Sequence, residues 1–130
     1  MQTRSFNIEQ DYDTVATWWT KQGWPALPKS ILQCKGFVVE ENNKALAATW
    51  IFATGCPVYI MEWTVGNPDV SWEIRDPAIK MVTDSACNWA KEDGASQVFT
   101  MTKHDRLIGK LEEYGFMKTD SGMTHLVRSL

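Results

Sequence analysis

Apolar and polar residues recur along this chain with two different periods, and the switches between them divide it into short elements. Thr3 to Asn7 is partly β-branched or aromatic and reads as a first strand. Tyr12, Val15, Ala16 and Trp19 then follow at helical spacing, with Asp11 as the candidate N-cap and Gly23 as the stop. The segment Gly23-Trp24-Pro25-Ala26-Leu27-Pro28 is a loop by its prolines, and Lys29 to Gln33 has room for a further helical turn. Gly36 to Glu41 and Ala45 to Thr54 read as strands, and the polar Asn42-Asn43-Lys44 between them predicts an antiparallel hairpin. After the break at Gly55-Cys56-Pro57, Val58 to Val65 is rich in β-branched and aromatic residues and forms the next strand, ended by Gly66-Asn67-Pro68.

The longest helical pattern comes next. Asp76 followed by Pro77 fits an N-cap with proline at the first helical position. Ile79, Val82, Ala86, Trp89 and Ala90 form its apolar stripe, Lys80, Asp84, Lys91 and Glu92 lie towards solvent, and Gly94 ends it. Gln97 to Thr102 reads as a strand. A helix from Asp105 to Tyr114 turns Leu107, Ile108 and Leu111 inward and closes at Gly115. Phe116 to Thr119 and Met123 to Arg128, on either side of Asp120-Ser121-Gly122, predict a final hairpin. The order is β-α-(α)-β-β-β-α-β-α-β-β. It predicts a single α+β (mixed α/β) domain over residues 1–130, with a mixed, mainly antiparallel sheet and helices on both faces.

Composition narrows the function classes. At 130 residues the chain suits one core, and its seven tryptophans place a large aromatic area in that core or in a binding site. No apolar run reaches the roughly 18–20 residues that span a bilayer, and the polar start MQTRSFNIEQDYD lacks a signal-peptide stretch, so a cytoplasmic location is expected. Cys34, Cys56 and Cys87 are odd in number and lack metal-ligand spacing, which predicts reduced, largely buried thiols and no metal site. A net charge of −3 argues against a nucleic-acid surface.

The element order resembles that of the GNAT (acetyl-CoA-dependent N-acyltransferase) superfamily over nearly the whole chain. The most specific piece is Leu107-Ile108-Gly109-Lys110-Leu111-Glu112-Glu113-Tyr114-Gly115-Phe116, similar to the family's helix that ends in Gly-Phe before its sixth strand. With Trp18-Trp19, Gly23-Trp24-Pro25 and Thr124-His125-Leu126, the pattern is most similar to small GNAT-like bacteriophage proteins. The resemblance implies acetyl-CoA as co-substrate, no metal, and transfer of an acetyl group to an unidentified primary amine. By position it implies that Trp63, Thr64 and Val65 face the pantetheine and that the connection from Ser71 to Arg75 meets the pyrophosphate. Arg75 and Lys80 would supply charge to phosphates, and His104 stands where the family often has an Asn contacting CoA, a solvated cap of the last helix being the competing reading. Two features depart from the family: the phosphate loop from Asn67 to Pro77 contains no glycine, and Leu111 stands where the family often has a tyrosine acid. These departures keep an alternative open, a catalytically inactive GNAT-fold protein that docks on a host or virion protein.

Glu62, inside an apolar strand, is the candidate general base, because a desolvated carboxylate has a raised pKa suited to taking an ammonium proton. Strict alternation sets it with Ile60 and Thr64 and opposite Met61 and Trp63. A carboxylate paired with a basic neighbour is the competing reading. His125 on the last strand is a candidate shuttle in the acceptor site or a hydrogen-bonded sheet histidine. Trp18 and Trp24 are candidates for an aromatic acceptor wall or for packing. Homodimer formation, with the final hairpin as the pairing edge, stays open.

Overall fold

The computed structural model describes residues 1–130. Strand β1 (Gln2–Ser5) is followed by helix α1 (Ile8–Lys21) and a 3₁₀ turn (Lys29–Ile31). Strands β2 (Lys35–Glu41), β3 (Lys44–Ala53) and β4 (Val58–Gly66) form a meander, after which helix α2 (Trp72–Glu92), strand β5 (Gln97–Thr100) and helix α3 (Asp105–Glu113) complete the elements. The sheet runs β1-β2-β3-β4-β5, antiparallel throughout except for the parallel pair β4/β5. This is the mixed, mainly antiparallel α+β sheet that the sequence predicts.

Local chemistry sets the connections. Asn42 and Asn43 have φ of 51° and 62°, so two left-handed residues close the β2–β3 hairpin in the sense that matches strand twist. All three helices end at a glycine. At the end of α1 the Trp24 N–H reaches the Trp19 carbonyl and Gly23, at φ 79°, donates to Thr20, which turns the chain back over the sheet.

Two cores flank the sheet. On one face Val15, Trp18 and Trp19 of α1 pack with Leu32 on Val38, Ala48, Trp50 and Val65. On the other, Ala78, Val82, Ala86 and Ala90 of α2 and Leu111 of α3 pack on Val39, Leu46, Ala47, Ile51 and Met61. Small residues along α2 let that helix lie close to the strands.

β4 departs from regularity at one point. Trp63 has φ +63° and the β3–β4 register slips between Ala48 and Trp50, so Trp50 pairs with Glu62 while Ala48 pairs with Val65. A bulge of this kind restarts the alternation. Trp63 therefore packs with the α1-side core and stacks on Phe52, and Thr64 turns to the other face, where its Oγ1 meets Thr49 Oγ1 at 2.7 Å. This corrects strict alternation, which set Thr64 with Glu62 and Trp63 opposite.

Four further expectations are corrected. The N-cap of α1 is Asn7, whose side chain accepts the N–H groups of Glu9 and Gln10. Asp11 instead lies buried, binding the Arg4 guanidinium through both oxygens at 2.8 Å and accepting the Asn7 N–H. Helix α2 begins at Trp72, five residues before Pro77; the proline removes only the bond to the carbonyl of Glu73, an exposed position. The final hairpin is absent. After Phe116, whose N–H closes α3 on Leu111, the chain runs to Leu130 without strand pairing and leaves Met117, Met123, Leu126 and Val127 exposed. An isolated hairpin gains little without a sheet edge to join, and β5 offers only four residues. Cys56 is exposed in the β3–β4 turn rather than buried.

Arg4 also binds Glu40 at 2.9 Å, so one guanidinium ties β1, β2 and α1 together. Burial works to raise the Asp11 pKa, but Arg4 and the Asn7 N–H outweigh it and hold the carboxyl below its ordinary range. Asp11→Ala leaves the guanidinium to Glu40 alone and frees the Asn7 N–H, and should cost about 2 kcal/mol in urea unfolding at neutral pH. Because the folded pKa is depressed, the wild-type advantage should be complete above the ordinary aspartate pKa and disappear as pH falls through the folded value.

Candidate active site

The site is built where β4 and β5 part. Their pairing runs from Val58↔Gln97 to Met61↔Thr100 and then stops. From Glu62 to Gly66, β4 keeps β3 on one side and has no strand on the other. Backbone N–H and C=O groups on that side are available to a ligand.

A cavity opens at this gap. It is lined by Thr64, Val65 and Gly66 of β4, Arg75, Asp76 and Ile79 of α2, His104, Arg106, Leu107 and Lys110 around α3, and Gln22 and Trp24 after α1. Gly66 has a packing reason: a Cβ there would lie 2.5 Å from Cγ and Cδ of Arg75, whose stem crosses the strand at this point. Arg106 binds Asp76 at 2.6 Å and Lys110 approaches the same carboxylate at 3.5 Å. Two cations thus meet one carboxylate, a third, Arg75, lines the same cavity, and the excess of positive charge favours anions. At about 130 Å³ it is too small to enclose a nucleotide-sized molecule, so such a ligand would lie along the opening.

Acidic residues of the preceding loop are largely occupied. Asp69 accepts Lys21 at 2.8 Å, and Asn67 is buried, donating to the Ala45 carbonyl and accepting the Asp69 N–H. Tyr114 at the end of α3 donates to the Asp76 carbonyl at 3.2 Å, and burial followed by the Asp76 charge pushes its pKa up to about 12.

Glu62 sits on the α1 side of β4 and does not line the cavity. It is 8 % exposed, and its Oε1 has no hydrogen-bond partner. Burial pushes its pKa up, and the charge of His125 opposes that shift. No basic side chain forms an ion pair with it.

The structure brings some sequence candidates together and separates others. Thr64, Val65, Arg75, His104 and Trp24 share the cavity, with the Trp24 and His104 ring centroids 4.4 Å apart. Trp63 does not join them, because the bulge turns it to the α1 side. Trp18, expected as either wall or packing, is 3 % exposed and belongs to the core. Ser71 caps α2 with its backbone alone and lies outside the cavity. Lys80 pairs with Asp84 at 2.6 Å and covers the Tyr114 ring, again outside. His125 lies in an exposed segment without strand pairing, with Nε2 3.2 Å from Met101 Sδ. Sequence reasoning missed Asp76, Arg106 and Lys110 as one cluster; their spacing on two helices carries no local motif.

Comparison with known proteins supports the architecture. No protein-family model matches the sequence, and no curated protein does either. Among solved structures, the aminoglycoside N-acetyltransferase AAC(6')-Iy in complex with CoA superposes with a TM-score of 0.71 at 13% identity, over 98% of this chain and 100% of that one. An acetyltransferase from Trypanosoma brucei gives 0.70 at 12%, over 97% and 99% of the two chains. An aminoglycoside acetyltransferase from an uncultured soil sample, in complex with sisomicin, gives 0.70 at 11%, over 99% and 95%. The chain therefore has the fold of the GNAT acetyltransferases.

Glu62 gives a direct test of this environment. Its folded pKa is raised, so wild-type stability should fall as pH rises from the ordinary value of 4.5 through the folded value. Glu62→Gln removes that loss. Urea unfolding across this range should show the variant gaining on wild type with rising pH, and a constant difference would count against a desolvated carboxylate.

Proposed function

We propose that this chain is an acyl-CoA-dependent N-acyltransferase, acetyl-CoA being the donor, that acts on a primary amine. The observation that carries the reading is the unpaired edge of β4 between a cation-lined cavity and a buried, unpartnered carboxylate on the opposite side of the strand. The fold shared with acetyltransferases, one of them in complex with CoA, supports it.

The residues fit such a donor. Backbone groups of Thr64, Val65 and Gly66 would pair with the pantetheine as a further strand would, beside the Arg75 stem that the missing Cβ of Gly66 lets cross the strand. Arg75, with Arg106 and Lys110, would meet the phosphates. The loop before α2 lacks glycines, but Asp69 and Asp76 are already neutralised by Lys21, Arg106 and Lys110, which removes much of the repulsion that the sequence implies. When bound, acyl-CoA supplies a thioester carbonyl open to attack.

The chain's own part then follows. Backbone N–H groups on the open edge near Thr64 and Val65 polarise the carbonyl oxygen. Glu62 accepts the proton from the ammonium, directly or through water; the neutral amine forms the C–N bond as the C–S bond breaks, and the second nitrogen proton passes to solvent or to the departed thiolate. Tyr114 is unsuited to protonate the leaving sulfur, because its hydroxyl is committed to Asp76 and its pKa is raised. An ordinary thiol has a pKa of about 8.5, so the thiolate leaves near neutrality without a dedicated acid.

Acetyl-CoA should bind in the micromolar range by isothermal titration, and Arg75→Ala should weaken that binding about tenfold. Glu62→Gln should bind equally well while lowering kcat by about 10²–10⁴-fold. In wild type kcat/KM should rise with pH and level off above the raised pKa of Glu62. Binding without turnover on any amine would leave a cofactor-binding protein without the chemistry. Absence of binding would turn the reading to a docking protein of the same fold.

A further inference from the structure

Helix α1 covers only part of its face of the sheet. Its core contacts end at Val38, Ala48, Trp50 and Val65. Beyond Trp50, cross-strand partners line up as Phe52↔Ile60 and Ile60↔Phe99, so one apolar row crosses β3, β4 and β5 on this face. Trp63, turned to the same side by the bulge, stacks on Phe52 with centroids 6.0 Å apart and 29° between the planes. No helix lies over the row: Phe99 is 52 % exposed and Met101 at its end 41 %.

Glu62 stands at the boundary between the covered and uncovered parts. It pairs with Trp50, lies two residues from Ile60 on the same face and precedes Trp63. The residue as a whole is more than nine-tenths buried, and one carboxylate oxygen, Oε1, is unpartnered. That oxygen is closed to solvent, so a small side-chain shift must open it; a single ammonium would then satisfy it, and an apolar body attached to it would lie along Phe52, Ile60 and Phe99. None of Phe52, Ile60, Trp63, Phe99 and Met101 carries charge, so a second ammonium on the same molecule would find no counter-ion among them. His125, held against Met101, is the titratable neighbour and when charged is a cation, which offers an ammonium no counter-ion.

We propose that the acceptor is a monoamine carried on an aromatic or bulky apolar group, seated on the Phe52–Ile60–Phe99 row with its nitrogen at Glu62. This rests on the acyltransferase reading and adds the class of acceptor. It differs from the polyamino sugar in the complex of the sisomicin-bound neighbour.

The test compares 2-phenylethylamine, ethanolamine, spermidine and sisomicin, with CoA release and amine binding measured separately on the full chain. The expected kcat/KM for 2-phenylethylamine exceeds that for ethanolamine by about 10–200-fold. Phe99→Thr keeps a strand-forming residue at an exposed position. It should raise KM for 2-phenylethylamine about tenfold with kcat unchanged, and leave ethanolamine unaffected. Equal or better transfer to spermidine or sisomicin overturns the proposal while the acyltransferase reading stands. Binding of 2-phenylethylamine that Phe99→Thr weakens, without transfer to any amine, supports the seat and overturns the chemistry. If sedimentation shows a dimer that Phe99→Thr dissociates while amine binding stays unchanged, the row belongs to a second copy and the proposal fails.

Discussion

Everything in the candidate site depends on β4 abandoning regular pairing at Trp63. A tryptophan at φ +63° is costly, on the order of 1–3 kcal/mol, and persists only where the surroundings hold it. Here Phe52 stacks on its ring, Thr49 and Thr64 share a hydrogen bond on the other face, and Trp50 and Ala48 pair on either side of the slip. The bulge puts Glu62 and Trp63 on one side and sends Thr64 to the other. One short segment thereby addresses both a cationic cavity and an apolar surface.

The polar groups buried around the sheet divide into two kinds. Asp11 and Asn67 are satisfied by a guanidinium or by backbone and hold chain segments in place. Glu62 has an oxygen with no partner, in a structure where its buried acidic counterpart Asp11 has three bonds. An unsatisfied buried carboxylate is destabilising, a heavier cost than the unpartnered Trp50 Nε1 and Thr83 Oγ1 carry, and it fits the role proposed for Glu62.

Much of the fold was legible because short-range chemistry dictates it. The helix stops at Gly23, Gly94 and Gly115, the Asn42-Asn43 turn and the five strands follow from local residue types and period. Errors arose where a distant partner decides. Asp11 looked like a cap until Arg4, seven residues away, claimed it; Pro77 looked like a helix start although α2 runs through it; and the tail carries strand-like residues with no edge to join. In the site, Glu62 could be singled out as a carboxylate in an apolar strand. The side on which Trp63 lies could not, because a bulge is a property of the strand pair. Arg106 and Lys110 meet Asp76 only through the packing of α3 against the start of α2.

The open stretch of β4 also bears on solubility. An unpaired strand edge ordinarily invites another chain to add to it and so seeds aggregation. In this molecule the exposed hydrogen-bonding groups lie in the interior of the strand order, behind α2 and α3 and beneath the loop that carries Trp24. A slender extended ligand needs less clearance in such a gap than the edge of a second protein sheet does. The protein can therefore keep backbone valence in reserve at its centre without offering it to its neighbours.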